Sequence, residues 1–346
     1  MIKILTLLGN NYGGCLQAYA LQHKIKELGH NSTIVNYTEY LNKKPSMKGR
    51  IKRVVYYRRN QKFEQFRKEN FVMSSPVEFL EDDGSVYIVG SDQVWNPAIA
   101  FPVRKHFYLD FVKDASRKNA YAASVGDMKL DNDEENITEI IEYINDFHYL
   151  SVREKSSIGL IQKYTDKKIS NVLDPTLLLS KEDWEKVIPK VDIKPYVFVY
   201  TLGLNSNDIL LIDQLCQKKQ MKIRDVFYKK RFRYLDKKLN HLGPSEWLAA
   251  IASSSFVITN SFHGTVFSII NHKEFLVITR NSMNNRIYDL LESLGITGRI
   301  FHSDELQSLG SLDSLPKIDY KKVDQKLHTL IQNSVDFLNE ILNLDK

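Results

Sequence analysis

Val257-Ile-Thr-Asn-Ser-Phe-His-Gly-Thr-Val-Phe-Ser-Ile-Ile270 says most about how this chain is built. It opens as an apolar, β-branched strand, breaks at Asn260-Ser261, and presents His263-Gly264 where a helix should begin. A buried strand that feeds straight into a helix is the repeating unit of an open, parallel α/β sheet. Ligands of such sheets bind beyond the carboxyl ends of the strands. The free N–H groups of a first helical turn favour an anion, and His263 adds a titratable imidazole. Asn260, Ser261, Gly264 and Thr265 surround it in sequence and complete a candidate anion site. A structural histidine is the plain alternative.

The same pattern recurs on both sides of this stretch. Residues 2–8 read as a buried strand, Gly9-Asn-Asn-Tyr-Gly-Gly14 as a glycine-rich turn, 15–28 as a helix that stops at Gly29, and 32–37 as a second strand. Strands are expected at 86–90, 118–125 and 149–152, and helices at 136–147 and 156–163. Val172-Leu-Asp-Pro-Thr-Leu-Leu-Leu179 closes this half, and Ser180-Lys-Glu-Asp-Trp184 marks a boundary. The pattern restarts with strands at 196–201, 222–227, 256–259 and 275–279 and helices at 207–218, 244–253, 264–270 and 286–294. Val323, Leu327, Leu330, Ile331, Val335, Leu338 and Ile341 share one face of a long terminal helix that must pack on something. The expected architecture is α/β: two Rossmann-like lobes with parallel sheets, over 1–179 and 180–318. A cleft is expected between them, and a terminal helix over 319–346 crosses back to the first lobe.

A chain of 346 residues with 43% hydrophobic content has enough apolar residues for two cores. Its two cysteines, Cys15 and Cys216, form neither a disulfide framework nor a zinc pattern and read as reduced, buried thiols. His-x-x-x-His is absent, so no metal and no cofactor is expected. Residues 1–8 are too short for a signal h-region and no apolar run approaches a membrane span, which points to a cytoplasmic protein.

The net charge of +6 is unevenly spread. From Lys43 to Lys68 there are eleven basic residues against the single acid Glu64, the makings of a basic helical insertion over about 43–70 in the first lobe. A second basic cluster runs from Lys218 to Lys238, and aromatics are interleaved in both. Such stretches suit a membrane surface or a pyrophosphate-bearing substrate; a solvated helix face is the bland reading. No nucleic-acid motif accompanies them, and nucleic acid is not an expected partner.

Four further constellations sit at expected strand ends. The turn Asn10, Asn11, Tyr12, Gly13 and Gly14 lets backbone approach a ligand, although it is neither a P-loop nor a dinucleotide fingerprint. In Gly90-Ser-Asp-Gln-Val-Trp-Asn-Pro97, Asp92 is placed to orient or deprotonate a sugar hydroxyl, with Ser91 beside it, and Trp95 to stack on a sugar. A turn or helix cap over a core tryptophan competes with that reading. Ser151-Val-Arg-Glu154 presents Arg153 for bidentate recognition of an anion, or else a structural Arg–Glu pair. Arg280, Asn281, Asn284, Asn285 and Arg286 follow the next strand; Arg286 opens a helix, an odd place for a cation unless an anion is bound nearby.

Taken together, Gly9-Asn-Asn-Tyr-Gly-Gly-Cys-Leu-Gln-Ala-Tyr-Ala-Leu21, Val89-Gly-Ser-Asp-Gln-Val-Trp-Asn-Pro97, Ser151-Val-Arg-Glu154, Val172-Leu-Asp-Pro-Thr176 and Ser261-Phe-His-Gly264 resemble the polysaccharide pyruvyl transferase family. The resemblance implies a GT-B-like pair of lobes. It also implies transfer of a pyruvyl group from phosphoenolpyruvate to hydroxyls of a bacterial glycan precursor, forming a cyclic ketal and releasing phosphate. The family's donor-site arginine and histidine match Arg153 and His263. On this reading Arg153 clamps the donor, and His263 acts as general acid or stabilises the departing phosphate. Asp92 helps the acceptor hydroxyl; the basic clusters, independently, fit an acceptor carried on a lipid pyrophosphate at the inner membrane face. The competing classes are a GT-B glycosyltransferase using a nucleotide sugar and a non-catalytic glycan-binding module on the same fold.

Overall fold

The computed structural model describes residues 1–36, 56–77, 80–96, 104–126, 134–190, 194–226, 231–279 and 285–343. The expectations for Lys43 to Arg53, Lys229, Lys230, Arg280, Asn281 and Asn284 lie outside the described residues. The chain divides into two compact units. One comprises Met1–Lys48, Arg67–Leu179 and Leu327–Lys346; the other comprises Gly49–Phe66 and Ser180–Lys326.

The first unit is built on β1 (Ile2–Leu5), α1 (Tyr12–Glu27) and β2 (Ser32–Asn36). Helix α2 (Tyr57–Asn70) follows, with its residues up to Phe66 in the second unit, whereas the sequence reading put the whole basic insertion in the first lobe. Then come β3 (Met73–Pro76), β4 (Val86–Val89), β5 (Lys118–Ala123), α3 (Glu134–Asn145), β6 (Tyr149–Val152), α4 (Lys155–Ile161) and β7 (Ser170–Asn171). The sheet order is β3-β2-β1-β4-β5-β6-β7, with every pairing parallel. Every residue of β4 and β5 is buried, as a parallel sheet covered on both faces requires. Past β7 the chain turns through a 3-10 stretch, Pro175–Leu178, because Asp174 caps it and Pro175 stands in its first turn.

The second unit starts at α5 (Lys181–Glu185) and continues with β8 (Tyr196–Tyr200), α6 (Ser206–Lys218), β9 (Lys222–Asp225) and β10 (Leu235–Lys238). It goes on through α7 (Pro244–Ser253), β11 (Phe256–Thr259), α8 (Phe262–Ile270), β12 (Phe275–Thr279), α9 (Asn285–Leu294) and β13 (Ile300–His302). Its sheet order is β10-β9-β8-β11-β12-β13, again parallel throughout. Trp184 and Trp247 both meet Phe267 of α8 edge-on, locking that helix to its sheet face.

The terminal helix α10 (Tyr320–Leu342) begins in the second unit and crosses back to the first. There Phe337, Leu338, Ile341 and Leu342 join the core formed by Ile4, Ile34, Ile88 and Leu21, and Ser334 Oγ accepts the Leu173 N–H at 2.9 Å. Both cysteines are buried and neither forms a disulfide; burial pushes the Cys15 thiol up to about 12, so it stays protonated.

Each sheet reverses its strand order once. In the first, the chain moves outward from β1 to β3, then returns to place β4 on the other side of β1. In the second, the reversal falls between β8 and β11. The loops leaving those strand pairs diverge, which opens a crevice at the carboxyl edge of an α/β sheet. The turns singled out around Gly13 and Asp92 leave β1 and β4, and the turn at His263 leaves β11.

Candidate active site

At the first reversal, Asn11 caps α1 by accepting the Gly13 N–H at 3.1 Å. Thr6 Oγ1 donates to the Ser91 carbonyl at 3.0 Å, and Gln17 Nε2 donates to Thr6 Oγ1 at 2.7 Å, so the β1 and β4 turns are bonded together. A Cβ on Gly14 would lie 3.2 Å from the Leu7 carbonyl and 3.3 Å from Asp92 Oδ2, so this glycine lets the start of α1 close on the Asp92 carboxylate. Asn10 is exposed and accepts both Nη groups of Arg67 at 3.2 Å. Tyr12 is buried.

Asp92 has φ 74°, in the left-handed region, and its side chain is 13% exposed. Its carbonyl accepts the N–H groups of Val94 and Ser124, which fixes that backbone geometry. A non-glycine residue held this way carries strain that a surrounding network must maintain.

Arg153 is the centre of that network, and its side chain is only 2% exposed. Its Nε donates to Glu154 at 3.0 Å and its Nη1 to Asp174 at 2.7 Å, while Nη2 lies 3.8 Å from Asp92 Oδ1. Ser91 Oγ donates to the same Asp174 oxygen at 2.9 Å, and Asp174 Oδ1 accepts the N–H and hydroxyl of Thr176. Burial works against the guanidinium charge, but Glu154, Asp174 and Asp92 outweigh it and hold the group above its usual range. Arg153 was expected to clamp the donor. In the structure its Nε and Nη1 bond Glu154 and Asp174 of its own unit, Nη1 also reaches Ser91 Oγ at 3.4 Å, and Asp92 lies within ion-pair distance.

Trp95 needs a correction. It was expected to stack on a sugar, but it is 1% exposed, stacked on Tyr108 at 5.5 Å and met edge-on by Phe147 at 5.6 Å. Its Nε1 donates to the Phe107 carbonyl at 2.8 Å, so both its ring and its polar handle are used inside the core.

At the second reversal, Asn260 bridges the two diverging loops. Its Oδ1 accepts the Leu202 N–H at 2.8 Å and its Nδ2 donates to the Leu202 carbonyl at 2.7 Å. Ser261 caps α8, its Oγ accepting the Gly264 N–H at 3.3 Å, and Thr265 Oγ1 returns a bond to the Ser261 carbonyl at 3.1 Å. A Cβ on Gly264 would fall 2.3 Å from Thr259 Oγ1, which itself donates to the Tyr200 carbonyl; only glycine fits. His263 thus stands in the first turn of α8, 8% exposed and edge-on to Phe262, with no acidic residue in that turn. Arg286 is the second residue of α9 and half-buried.

Sequence reading missed Asp174 as the anchor of Arg153 and Arg67 as the partner of Asn10. Asp174 was visible only as part of an Asp-Pro turn, and Arg67 was counted as one more surface charge. It also missed Asp225, a buried carboxylate at the end of β9. Both of its oxygens accept from Arg231, at 2.8 and 3.0 Å.

Comparison with solved structures places this fold among GT-B enzymes. The chain is similar to UDP-GlcNAc 2-epimerase from Methanocaldococcus jannaschii in complex with UDP-GlcNAc and UDP, with a TM-score of 0.54 and 12% identity over 95% of this chain and 98% of that one. It is also similar to UDP-GlcNAc 2-epimerase from Neisseria meningitidis, at 0.55 and 10% over 99% and 98%, and to the S. aureus MnaA–UDP complex, at 0.53 and 12% over 99% and 98%. At such identities the likeness is one of fold. Comparison with curated proteins gives no match. Residues 11–282 match the family model for polysaccharide pyruvyl transferase, a span that holds the Gly13, Asp92, Arg153 and His263 turns, and the chain belongs to that family.

Proposed function

We propose that the protein transfers the pyruvyl group of phosphoenolpyruvate to a sugar of a bacterial surface-polysaccharide precursor, forming a cyclic ketal and releasing phosphate. Family membership over residues 11–282 carries this reading, and the His263 turn supports it. Phosphoenolpyruvate offers a carboxylate and a phosphate, and a Ser-capped helix start beside an imidazole suits either anion.

The chemistry needs one proton delivered to the enol methylene and two sugar hydroxyls added at the adjacent carbon. The first hydroxyl adds as its proton leaves, and the second displaces phosphate, which departs with the remaining proton. His263 serves as general acid to the methylene or as the group that stabilises the departing phosphate. Asn260, Ser261, Gly264, Thr265 and Arg286 belong to the donor side. Asp92 accepts a hydroxyl proton, with the Arg153 guanidinium 3.8 Å from its carboxylate as the opposite charge. The acceptor side draws on Asn10, Asn11, Tyr12, Gly13 and Gly14. The acceptor is carried on a lipid pyrophosphate at the inner membrane face, and the reaction uses no cofactor beyond its donor substrate.

A nucleotide-sugar glycosyltransferase would need a carboxylate for the ribose hydroxyls. Asp225 stands at the end of the second strand of its sheet, but gives both oxygens to Arg231. Phosphate release from phosphoenolpyruvate against a panel of acceptor glycans tests the proposal. His263→Ala is expected to lower the rate by about 10²–10⁴-fold. Phosphate release at the wild-type rate in that variant would overturn the role of His263. Thermal stabilisation by UDP-sugars, with none by phosphoenolpyruvate, would overturn the donor assignment.

A further inference from the structure

Helix α2 starts with two cations where a helix ordinarily prefers acids. Arg58 and Arg59 occupy its first turn, and no acidic residue accompanies them. Arg59 lies over the rings of Tyr56 and Phe63; Arg58, exposed next to the positive end of the helix dipole, is a local cost that an anion outside the protein would offset. The helix is held in the second unit by the buried Phe63 and Phe66 and by an ion pair between Lys62 and Glu246 of α7.

The same ion pair brings together charges that are far apart in sequence. Glu246 also accepts the Gly243 N–H, and Gly243 itself lies against the Lys62 side chain, so α2 packs on the start of α7. His241 stands at that junction, where burial first, and then the nearby cations led by Lys62, lower its affinity for a proton against the opposing pull of Glu246. Lys237 belongs to β10, in the second basic cluster of the sequence. Arg58 lies one helical turn before Lys62, and His241 stands two residues before Gly243 and four after Lys237, so the Lys62–Gly243 contact brings the two clusters side by side. Arg58, Lys237 and His241 are exposed there, and Tyr57, on the first turn of α2, is 60% exposed.

We infer that this surface, formed by the start of α2, β10 and the loop before α7, docks the protein on an anionic lipid bilayer. Charge complementarity argues for a polyanion: the exposed Arg58 and Lys237 flank this contact, and the nearby acid Glu246 is already engaged by Lys62. The exposed tyrosine beside the arginine favours lipid over other polyanions. An amphipathic ring with a polar tip suits the headgroup region, next to cations that suit anionic headgroups. A bilayer is also where a lipid-linked acceptor resides, and the inference rests on the proposed function for that use alone.

The test is co-sedimentation of the full chain with vesicles of phosphatidylcholine alone and of phosphatidylcholine with phosphatidylglycerol, using Arg58→Glu, Lys237→Glu and His241→Glu. Lys322→Glu, on the exposed first turn of α10, serves as the control. Binding to the anionic vesicles is expected, weakened about fivefold per unit of charge changed, and so about twenty-five-fold for Arg58→Glu. The Lys322→Glu control should bind like wild type. Equal binding to both vesicle types, or anionic binding unmoved by all three reversals, would overturn the inference. So would binding to a single-stranded oligonucleotide, lost in the reversals, with no binding to vesicles. Phosphate release with a water-soluble acceptor, measured in parallel, separates the two readings. If only the docking surface is wrong, wild type still releases phosphate; if only the transfer reading is wrong, vesicle binding persists without phosphate release.

Discussion

Arg153 Nη1 lies 2.7 Å from Asp174 Oδ2, and that oxygen also accepts the Ser91 hydroxyl at 2.9 Å. One atom of a buried carboxylate thereby joins the turn after β4 to the end of β6. The arrangement makes Arg153 a positioning residue, and its consequences reach stability as well as activity.

Arg153→Ala should destabilise the first unit by about 3–5 kcal/mol, because Glu154 and Asp174 would be left buried without their cation. Asp174→Asn keeps the shape and should cost less, on the order of 1–3 kcal/mol. Urea unfolding of both variants measures this. An Arg153→Ala protein that unfolds with wild type would show that the guanidinium is not enclosed by carboxylates.

Trp95→Ala should cost about 3–5 kcal/mol as a core cavity. Trp95→Phe, which keeps a ring against Tyr108 but loses the bond to the Phe107 carbonyl, should leave the KM for acceptor at the wild-type value. A raised acceptor KM in Trp95→Phe would restore the sugar-stacking role that burial removes.

The His263 turn was legible in sequence because a β-branched run, a polar break and a glycine follow one another without interruption, and the structure starts α8 within two residues of the expected place. The interior strands were legible for the same reason. The edge strands β3, Met-Ser-Ser-Pro, and β10, Leu-Asp-Lys-Lys, were not, since an edge needs neither two buried faces nor an apolar run. Asp174 and Arg67 escaped because their partners lie 21 and 57 residues away, and periodicity carries no information on such pairs. Trp95 was misassigned because residue type alone does not distinguish a core ring from a stacking platform.

Gly264→Ala should lower stability by about 1–3 kcal/mol through overpacking against Thr259 and should also lower the phosphate-release rate by displacing the start of α8. Thr259→Ala removes the atom at 2.3 Å and should recover part of both losses in the double variant. Additive losses would place the defect elsewhere than in this contact.

Arg117 donates from both Nη groups to Asp82, at 2.5 and 2.7 Å, and this bonding holds the Asp82 carboxyl well below its ordinary range. A depressed folded-state pKa contributes stability that is fully present above the unfolded-state value and is lost as pH falls through the folded one. Wild type should therefore melt above Asp82→Asn at neutral pH, with the gap closing only below about pH 4. A gap that is constant down to strongly acidic pH would mean that the carboxylate charge does not contribute.

Asp92 separates strain from chemistry most directly. At φ 74° a glycine would relieve the backbone, while removing the carboxylate loses only a contact of 3.8 Å to Arg153. Asp92→Gly should therefore stay within about 1 kcal/mol of wild-type stability. As acceptor of a hydroxyl proton, the same carboxylate should be worth about 10²–10⁴-fold in phosphate release. Asp92→Asn, which tolerates the left-handed backbone but cannot take a proton, should lose activity to the same degree. Full activity in Asp92→Asn would make the residue a turn-former and would shift the search for the base to another group near the α1 turn.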